Sequence, residues 1–100
     1  MGKNNSAKLI RSVLDSLLKE PIEGIDGVHQ VKEIKGILKK NNPEITCEIY
    51  LTVDFGVKIP EVSWNVQTLV KSILKPIDDM KVGTINIHII GVELKEENND

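Results

Sequence analysis

The stretch from Glu44 to Phe55, EITCEIYLTVDF, alternates strictly between two kinds of side chain. One parity is apolar, and its members are Ile45, Cys47, Ile49, Leu51, Val53 and Phe55. The other parity is mostly polar and includes Tyr50, Thr46 and Thr52. Alternation with a period of two predicts a strand that buries one face and leaves the other in water. Gly56 follows directly and is predicted to end the strand.

Helical spacing marks one segment on each side of this strand. In the first, Ser6 is a predicted N-cap and Pro21 a predicted end. Its apolar residues are Leu9, Ile10, Val13, Leu14, Leu17 and Leu18. In the second, Pro60 suits a first helical position and Pro76 ends the pattern. Its apolar stripe is Val62, Val66, Leu69, Val70 and Ile73.

Two further segments are predicted to be strands. Residues 28–38 carry a weaker apolar pattern without helical length or caps, and a turn signal at 41–43 follows. Residues 82–94 alternate again. The order α-β-β-α-β predicts a two-layer α+β sandwich, in which a three-stranded mixed sheet carries both helices on one face in a KH-like arrangement. The hairpin strands should be antiparallel. A last strand beside the second would run parallel to it.

Length and charge limit the possible functions. One hundred residues make one domain, predicted to span residues 6–94 between a disordered lead-in, 1–5, and an acidic flexible tail, 95–100. A net charge of -2 provides no general attraction to phosphate backbones or anionic lipids. No apolar run is long enough to span a bilayer, and the start carries no apolar signal core. A cytoplasmic protein without direct membrane insertion is expected.

Residues suited to catalysis are few. Cys47 is the only cysteine, and its parity predicts a buried core thiol. His29 and His88 are the only histidines, and they lack the spacing of a metal site. No hydrolase or phosphate-loop motif is present. The sequence therefore predicts a protein that is not an enzyme and holds neither a metal nor a cofactor.

Two surfaces are candidates for binding a protein partner. Trp64 lies about 150° from the centre of the apolar stripe of its helix, with Thr68 and Lys71 on the same side. An indole there is either a partner-facing anchor or a ring folded back onto a neighbouring loop. The second candidate is the wet face of the sheet, which carries Tyr50 and His88. Apolar side chains on the same parity, Ile90 and Val92, suggest covering by a second subunit or by the C-terminal end.

Nucleic-acid binding is the alternative hypothesis. Residues 24–27, GIDG, match the GxxG pattern with which KH domains clamp a nucleic-acid backbone. Asp26 would repel phosphate, however, and the motif stands between a helix and a strand. The lysines of the first hairpin would supply the positive charge; they are Lys32, Lys35, Lys39 and Lys40.

Residues 51–67, LTVDFGVKIPEVSWNVQ, and 85–92, INIHIIGV, resemble the signature of the alkaline shock protein family, small bacterial proteins linked to cell-envelope stress. Gln67, Val70 and Lys71 fall where the family pattern expects them, whereas residues 75–80 depart from its usual turn. The resemblance implies a cytoplasmic, non-enzymatic protein of Gram-positive type. It also implies self-association, or attachment to the membrane through a small membrane-anchored protein. Gln67 borders the apolar stripe and is placed to bond across to a strand.

Overall fold

The computed structural model describes residues 2–38, 44–77 and 81–94. Its elements are α1 (Gly2–Glu23), β1 (Val28–Leu38), β2 (Ile45–Asp54), α2 (Ile59–Leu74) and β3 (Val82–Glu93). The predicted order α-β-β-α-β is confirmed, and each strand lies where the pattern placed it. The predicted acidic tail, 95–100, lies outside the described residues, and the division into lead-in, domain and tail stays a prediction.

The sheet has the order β1-β2-β3, so the alternating strand β2 is its centre. β1 pairs with β2 in antiparallel fashion, as a hairpin does, and β3 pairs with β2 in parallel. The mixed sheet is therefore confirmed, with the last strand beside the second. Both outer strands remain edges among the strands that the structure describes.

A single core joins both helices to one face of the sheet. The helices contribute buried aliphatic side chains, and these are Leu14, Leu18, Ile22, Val62, Val66, Val70 and Leu74. They pack on the apolar parity of β2, from Ile45 to Val53, each side chain at most 4 % exposed. Because both helices share this one core, the predicted two-layer sandwich is confirmed. Phe55, which follows the end of β2, is exposed despite its parity.

The first helix extends further than its sequence signals indicated. It begins at Gly2, before the predicted N-cap Ser6, and it continues past Pro21 to Glu23. Proline lacks an N–H donor, but its carbonyl still accepts a hydrogen bond, here from the backbone N–H of Gly24 at 3.2 Å. Ile22 is fully buried one residue later. Burial of this side chain favours continuing the helix over ending it at the proline.

The second helix begins and ends as predicted. Pro60 lies in its first turn, and Lys58 is the N-cap residue although its side chain makes no capping hydrogen bond. Gly56 precedes the helix with a φ of 91°, a left-handed conformation that glycine adopts without strain. This confirms the predicted role of Gly56 in turning the chain at the end of β2.

A register shift in β3 changes which residues share the open face of the sheet. Leu51 pairs with Ile89, whereas the next residue, Thr52, pairs with Gly91. The extra residue, Ile90, interrupts the alternation, and Val92 consequently lies opposite the core residue Val53. The prediction that Val92 alternates with Asn86 and His88 on one parity is therefore wrong, whereas its predicted exposure is confirmed at 53 %.

Thr52 is also not on a wet surface. Its side chain is buried, and its hydroxyl donates to the carbonyl of Gln30 at 3.4 Å. Gly91 lies opposite, where an added Cβ would come within 3.1 Å of the Thr52 methyl. The small residue at 91 thus lets β3 cover this threonine.

Candidate interaction surfaces

The outward side of α2 carries the tryptophan that the sequence singled out. The Trp64 side chain is 67 % exposed, so the ring is not folded back into a buried site on its own chain. It lines a shallow, mostly apolar depression with Lys58, Pro60 and Glu61. We call Trp64, Thr68 and Lys71 the α2 surface.

The three residues of the α2 surface share one side of the helix because they are spaced by four and then three positions. Thr68 donates its hydroxyl to the carbonyl of Trp64 at 2.8 Å, so the hydroxyl is already used within the helix. Lys71 lies one turn further and lines a second depression together with Lys75 and Glu44. The α2 surface therefore passes from an apolar end at Trp64 to a basic end at Lys71.

The opposite face of the sheet presents a compact polar group, which we call the open-face cluster: Lys35, Glu48, Tyr50, Asn86 and His88. Tyr50 and His88 are register partners on β2 and β3. Their rings stack with centroids 4.5 Å apart and an interplanar angle of 11°. The two wet-face residues predicted from sequence are thus brought together.

Glu48 is the hydrogen-bonding centre of the open-face cluster. Its carboxylate accepts a hydrogen bond from the amide of Asn86 at 2.8 Å and another hydrogen bond joins it to Nε2 of His88. These contacts lower the pKa of the Glu48 carboxyl, first through the hydrogen bond with His88 and then through that with Asn86. Lys35 lowers this pKa further by its positive charge.

Lys35 is the member of the cluster that β1 contributes. It is the register partner of Glu48, and its ammonium nitrogen lies 5.3 Å from the centroid of the Tyr50 ring. A cation at this distance from an aromatic face is attracted to the ring. The side chains of the open-face cluster are thus joined to one another by two hydrogen bonds, one ring stack and one cation–ring contact.

The structure therefore separates the five predicted site residues into two places. Trp64, Thr68 and Lys71 lie on the outer side of α2, whereas Tyr50 and His88 lie on the sheet face that turns away from both helices. Sequence reasoning missed Glu48 as the residue that joins the strands. Its parity with Tyr50 was visible, but the pairing of β2 with β3, which brings Asn86 and His88 to it, was not.

The side chains of a type that could act in catalysis or bind a metal are dispersed or buried. Cys47 is fully buried, and burial, reinforced by the charge of Glu48, raises the pKa of its thiol to about 11. His29 instead lies with its Nδ1 3.0 Å from a carboxylate oxygen of Asp54. Among the described residues, no three histidine, cysteine or acidic side chains gather where they could hold a metal ion.

The nucleic-acid alternative receives no support. Gly27, at the end of the GxxG match, is buried, and a Cβ there would lie 2.8 Å from a methyl carbon of Val62. A glycine packed against a core valine is not a loop exposed for a backbone clamp. Lys32 donates to the side chain of Gln30, Lys35 belongs to the open-face cluster, and Lys39 and Lys40 lie outside the described residues.

Comparison with known proteins agrees with the fold and the sequence signature. The pattern of the alkaline shock protein 23 family, a family with a cell envelope-related function, matches residues 3–94. The chain belongs to this family. The predicted resemblance is thereby confirmed, and the alkaline shock protein 23 family is not a known enzyme family.

Individual relatives in this family are bacterial. The chain is 27 % identical over 94 residues to the uncharacterized protein Spy1535 of Streptococcus pyogenes serotype M6, covering 83 % of this chain and 73 % of that protein. It is 32 % identical over 85 residues to the uncharacterized protein YloU of Bacillus subtilis, covering 73 % and 71 %. It is 39 % identical over 49 residues to the uncharacterized protein YqhY of the same species, covering 49 % and 36 %.

No solved structure matches the chain. Neither helix, over the residues described, has both the length and the apolar character required to cross a membrane.

Proposed function

We propose that this alkaline shock protein 23 family member is a non-enzymatic protein-interaction module of the cell envelope stress response or of envelope homeostasis. It is a cytoplasmic protein that is held at the membrane through a small membrane-anchored protein and does not insert itself. It also associates with further copies of itself. Docking on the membrane-anchored protein takes place on the α2 surface.

The exposed indole of Trp64 carries this proposal. Large aromatic side chains contribute much of the binding energy in protein interfaces, and a tryptophan that is 67 % exposed leaves most of its apolar surface unused by the fold. The ring stands beside Pro60 at the rim of a shallow apolar depression, where a partner side chain can cover it. This arrangement favours the partner-facing interpretation of Trp64 over a structural one.

The charges around the α2 surface indicate what the partner provides. Lys71 and Lys75 line the depression at the far end of the helix, and Glu44 is the acidic residue there. A partner segment that places an apolar side chain on Trp64 and acidic side chains near Lys71 would complement this arrangement of an apolar end and a basic end. We therefore propose an acidic cytoplasmic segment of a membrane-anchored protein as the docking element.

The open-face cluster has a secondary place in this proposal. Tyr50 and His88 stack on each other, and Glu48 already holds Asn86 and His88. A partner that contacts this cluster would have to compete with internal contacts. Within the described part of the chain the indole of Trp64 makes no hydrogen bond or ring stack of this kind, and so we assign the main contact to α2.

Affinity purification of the tagged chain from producing cells, with and without detergent, tests the proposal. The wild-type chain should retain a membrane-anchored protein, and the Trp64→Ser variant should lose it. Lys71→Glu should weaken retention in a salt-dependent manner, because the contact it removes is electrostatic. The matched control is Val13→Ser, which replaces an exposed apolar residue of α1.

All three variants, Trp64→Ser, Lys71→Glu and Val13→Ser, must remain folded, which circular dichroism and thermal unfolding verify. Retention of the same membrane-anchored protein by wild type and Trp64→Ser would exclude the α2 surface as its docking site. Equal loss of retention in Trp64→Ser and Val13→Ser would exclude a specific role for Trp64.

A further inference from the structure

A depression at the carboxyl end of α2 is lined by three lysines, and we call it the lysine depression. Its volume is about 490 Å³, and it lies where α2 ends and where β2 and β3 begin. A volume of this size is typical of small-molecule sites. Its remaining lining consists of Glu44 and three aliphatic side chains. The lysines are Lys71, Lys75 and Lys81, and the aliphatic residues are Leu74, Ile77 and Val82.

The elements that carry the three lysines are held in fixed positions. The two lysines of α2 are four positions apart and so share one side of the helix. The carbonyl of Lys81 accepts a hydrogen bond from the backbone N–H of Ile45 at 2.6 Å, which ties the entry to β3 to the start of β2. The side-chain amide of Gln67 donates to the carbonyl of Ile85 at 2.9 Å, which confirms that Gln67 bonds across to a strand. This bond joins α2 to the first half of β3.

Positive charge dominates the described lining of the depression. Three lysines and one acidic residue, Glu44, give it a net charge of +2, in a chain whose net charge is -2. Neither of the ion pairs found within the described part of the chain involves one of these lysines. Asp78 and Asp79, which come between α2 and β3, lie outside the described residues. Because like charges on neighbouring side chains cost stability, this arrangement favours an anion that compensates them.

The end of α2 opposes an anion only weakly. The carbonyl groups at the carboxyl end of a helix act together as roughly half a negative charge. Two of them are already used, because the N–H groups of Lys75 and Ile77 donate to the carbonyls of Lys71 and Leu74 at 2.9 and 3.0 Å. The net charge of the described lining outweighs what remains.

The number of lysines indicates which kind of anion fits. A lysine ammonium acts as a compact charge and is a common ligand of phosphate groups. A phosphate monoester has three terminal oxygens and a charge of about -1.5 to -2 at neutral pH. Three ammonium groups with a net charge of +2 suit this anion better than a carboxylate, which has two oxygens and a single charge. The aliphatic lining suits an apolar group on the ester oxygen.

From these observations we infer that the lysine depression binds a phosphate monoester with an apolar organic part, supplied by a small soluble ester or by a lipid headgroup. This ligand goes beyond the proposed function, which concerns protein partners. The lysine depression shares Lys71 with the α2 surface, so a bound ester would compete with the acidic side chains of the partner segment. It does not include Trp64, and the two sites can therefore be tested separately.

Isothermal titration of the purified full chain with hexyl phosphate tests the inference. The wild-type chain should bind one ester, and added salt should weaken the binding. Hexyl sulfate has the same hydrocarbon and three terminal oxygens but a single charge, so it should bind about fivefold more weakly or less. Lys81→Met should weaken the binding of hexyl phosphate by about tenfold. The matched control, Lys58→Met, removes an exposed lysine at the other end of α2 and should leave the binding unchanged.

Sedimentation with vesicles distinguishes the two sources of the phosphate monoester. Binding to vesicles that contain phosphatidic acid, and not to pure phosphatidylcholine vesicles, would identify a lipid headgroup, whereas binding of hexyl phosphate alone would identify a soluble ester. A chain that binds neither ligand would overturn the inference, as would equal affinity for hexyl sulfate or unchanged affinity in a folded Lys81→Met variant. Trp64→Ser should bind hexyl phosphate as wild type does, so failure here leaves the capture experiment on α2 to be judged separately.

Discussion

The two faces of the sheet are formed by alternate residues of the same strands, yet different interactions hold them. The helix-covered face of β2 consists of aliphatic side chains and Cys47, all buried against both helices. The open face is held by the hydrogen bonds of Glu48 and by the Tyr50–His88 stack. Hydrophobic burial on one face therefore stabilises the fold, while the open face adds strand-to-strand contacts of smaller energy.

Truncation of the central core residue should produce the largest difference between the faces. Leu51→Ala removes a fully buried side chain from β2 and should lower the free energy of unfolding by about 2–5 kcal/mol. Thr46→Ala, on the other face of the same strand, should change it by about 0.5 kcal/mol or less. Urea unfolding monitored by circular dichroism measures both. Similar losses for the two variants would contradict the division between the faces.

Replacing each of two glycines with alanine compares a glycine that packs against the core with one that lies at the surface. Gly27 and Gly56 have φ angles of 98° and 91°, so alanine at either is strained by an amount of the order of 1–3 kcal/mol. A Cβ at Gly27 would also press on Val62 at 2.8 Å, whereas a Cβ at Gly56 meets nothing within 4 Å. Thermal unfolding should show the greater loss for Gly27→Ala. Equal losses would mean that the core relaxes around the added methyl group.

A smaller effect is expected from Glu48→Gln, and it depends on pH. The pKa of Glu48 is lower in the folded chain than its ordinary value of 4.5. Its charge therefore contributes stability that is present above this ordinary value and is lost as the pH falls through the folded pKa. Among the groups that face it, Lys35 and His88 attract the charged form.

The free energy of unfolding, measured at a series of pH values from 7 downward, checks this expectation. Wild type should lose stability more steeply on the acid side than Glu48→Gln, which cannot gain a proton there. Lys35→Met is the control that keeps the carboxylate and removes one attracting charge, and its effect should be smaller. Identical acid profiles for wild type and Glu48→Gln would contradict a stabilising role for the Glu48 charge.

Sequence reasoning succeeded where a periodic pattern determines which way a side chain faces. The alternation of residues 44–55 predicted β2 and its buried parity, including Cys47, and the helical spacing around Pro60 predicted α2. It failed where the outcome depends on contacts between distant segments. Pro21 carries the local signal of a helix end, but burial of Ile22 in the core outweighs that signal.

Prediction of the two candidate surfaces from sequence was limited in the same way. The position of Trp64 on its helix was visible from spacing alone, and the structure agrees with an exposed ring. The grouping of Glu48 with Asn86 and His88 required the register of β2 against β3, which no local pattern encodes. Gly91 was the one local signal of the register shift that moves Val92, because a glycine inside a strand often accompanies a bulge.

Trp64 is the only tryptophan of the chain, so its fluorescence measures the proposed docking site directly. In the isolated chain, acrylamide should quench the indole readily, because about two thirds of Trp64 is exposed to water. Once the chain has bound the purified membrane-anchored protein, the emission of Trp64 should shift to shorter wavelength, and acrylamide should quench it less. An indole that is shielded in the isolated chain, or equally quenched in the complex, would contradict the proposal that α2 binds the partner through Trp64.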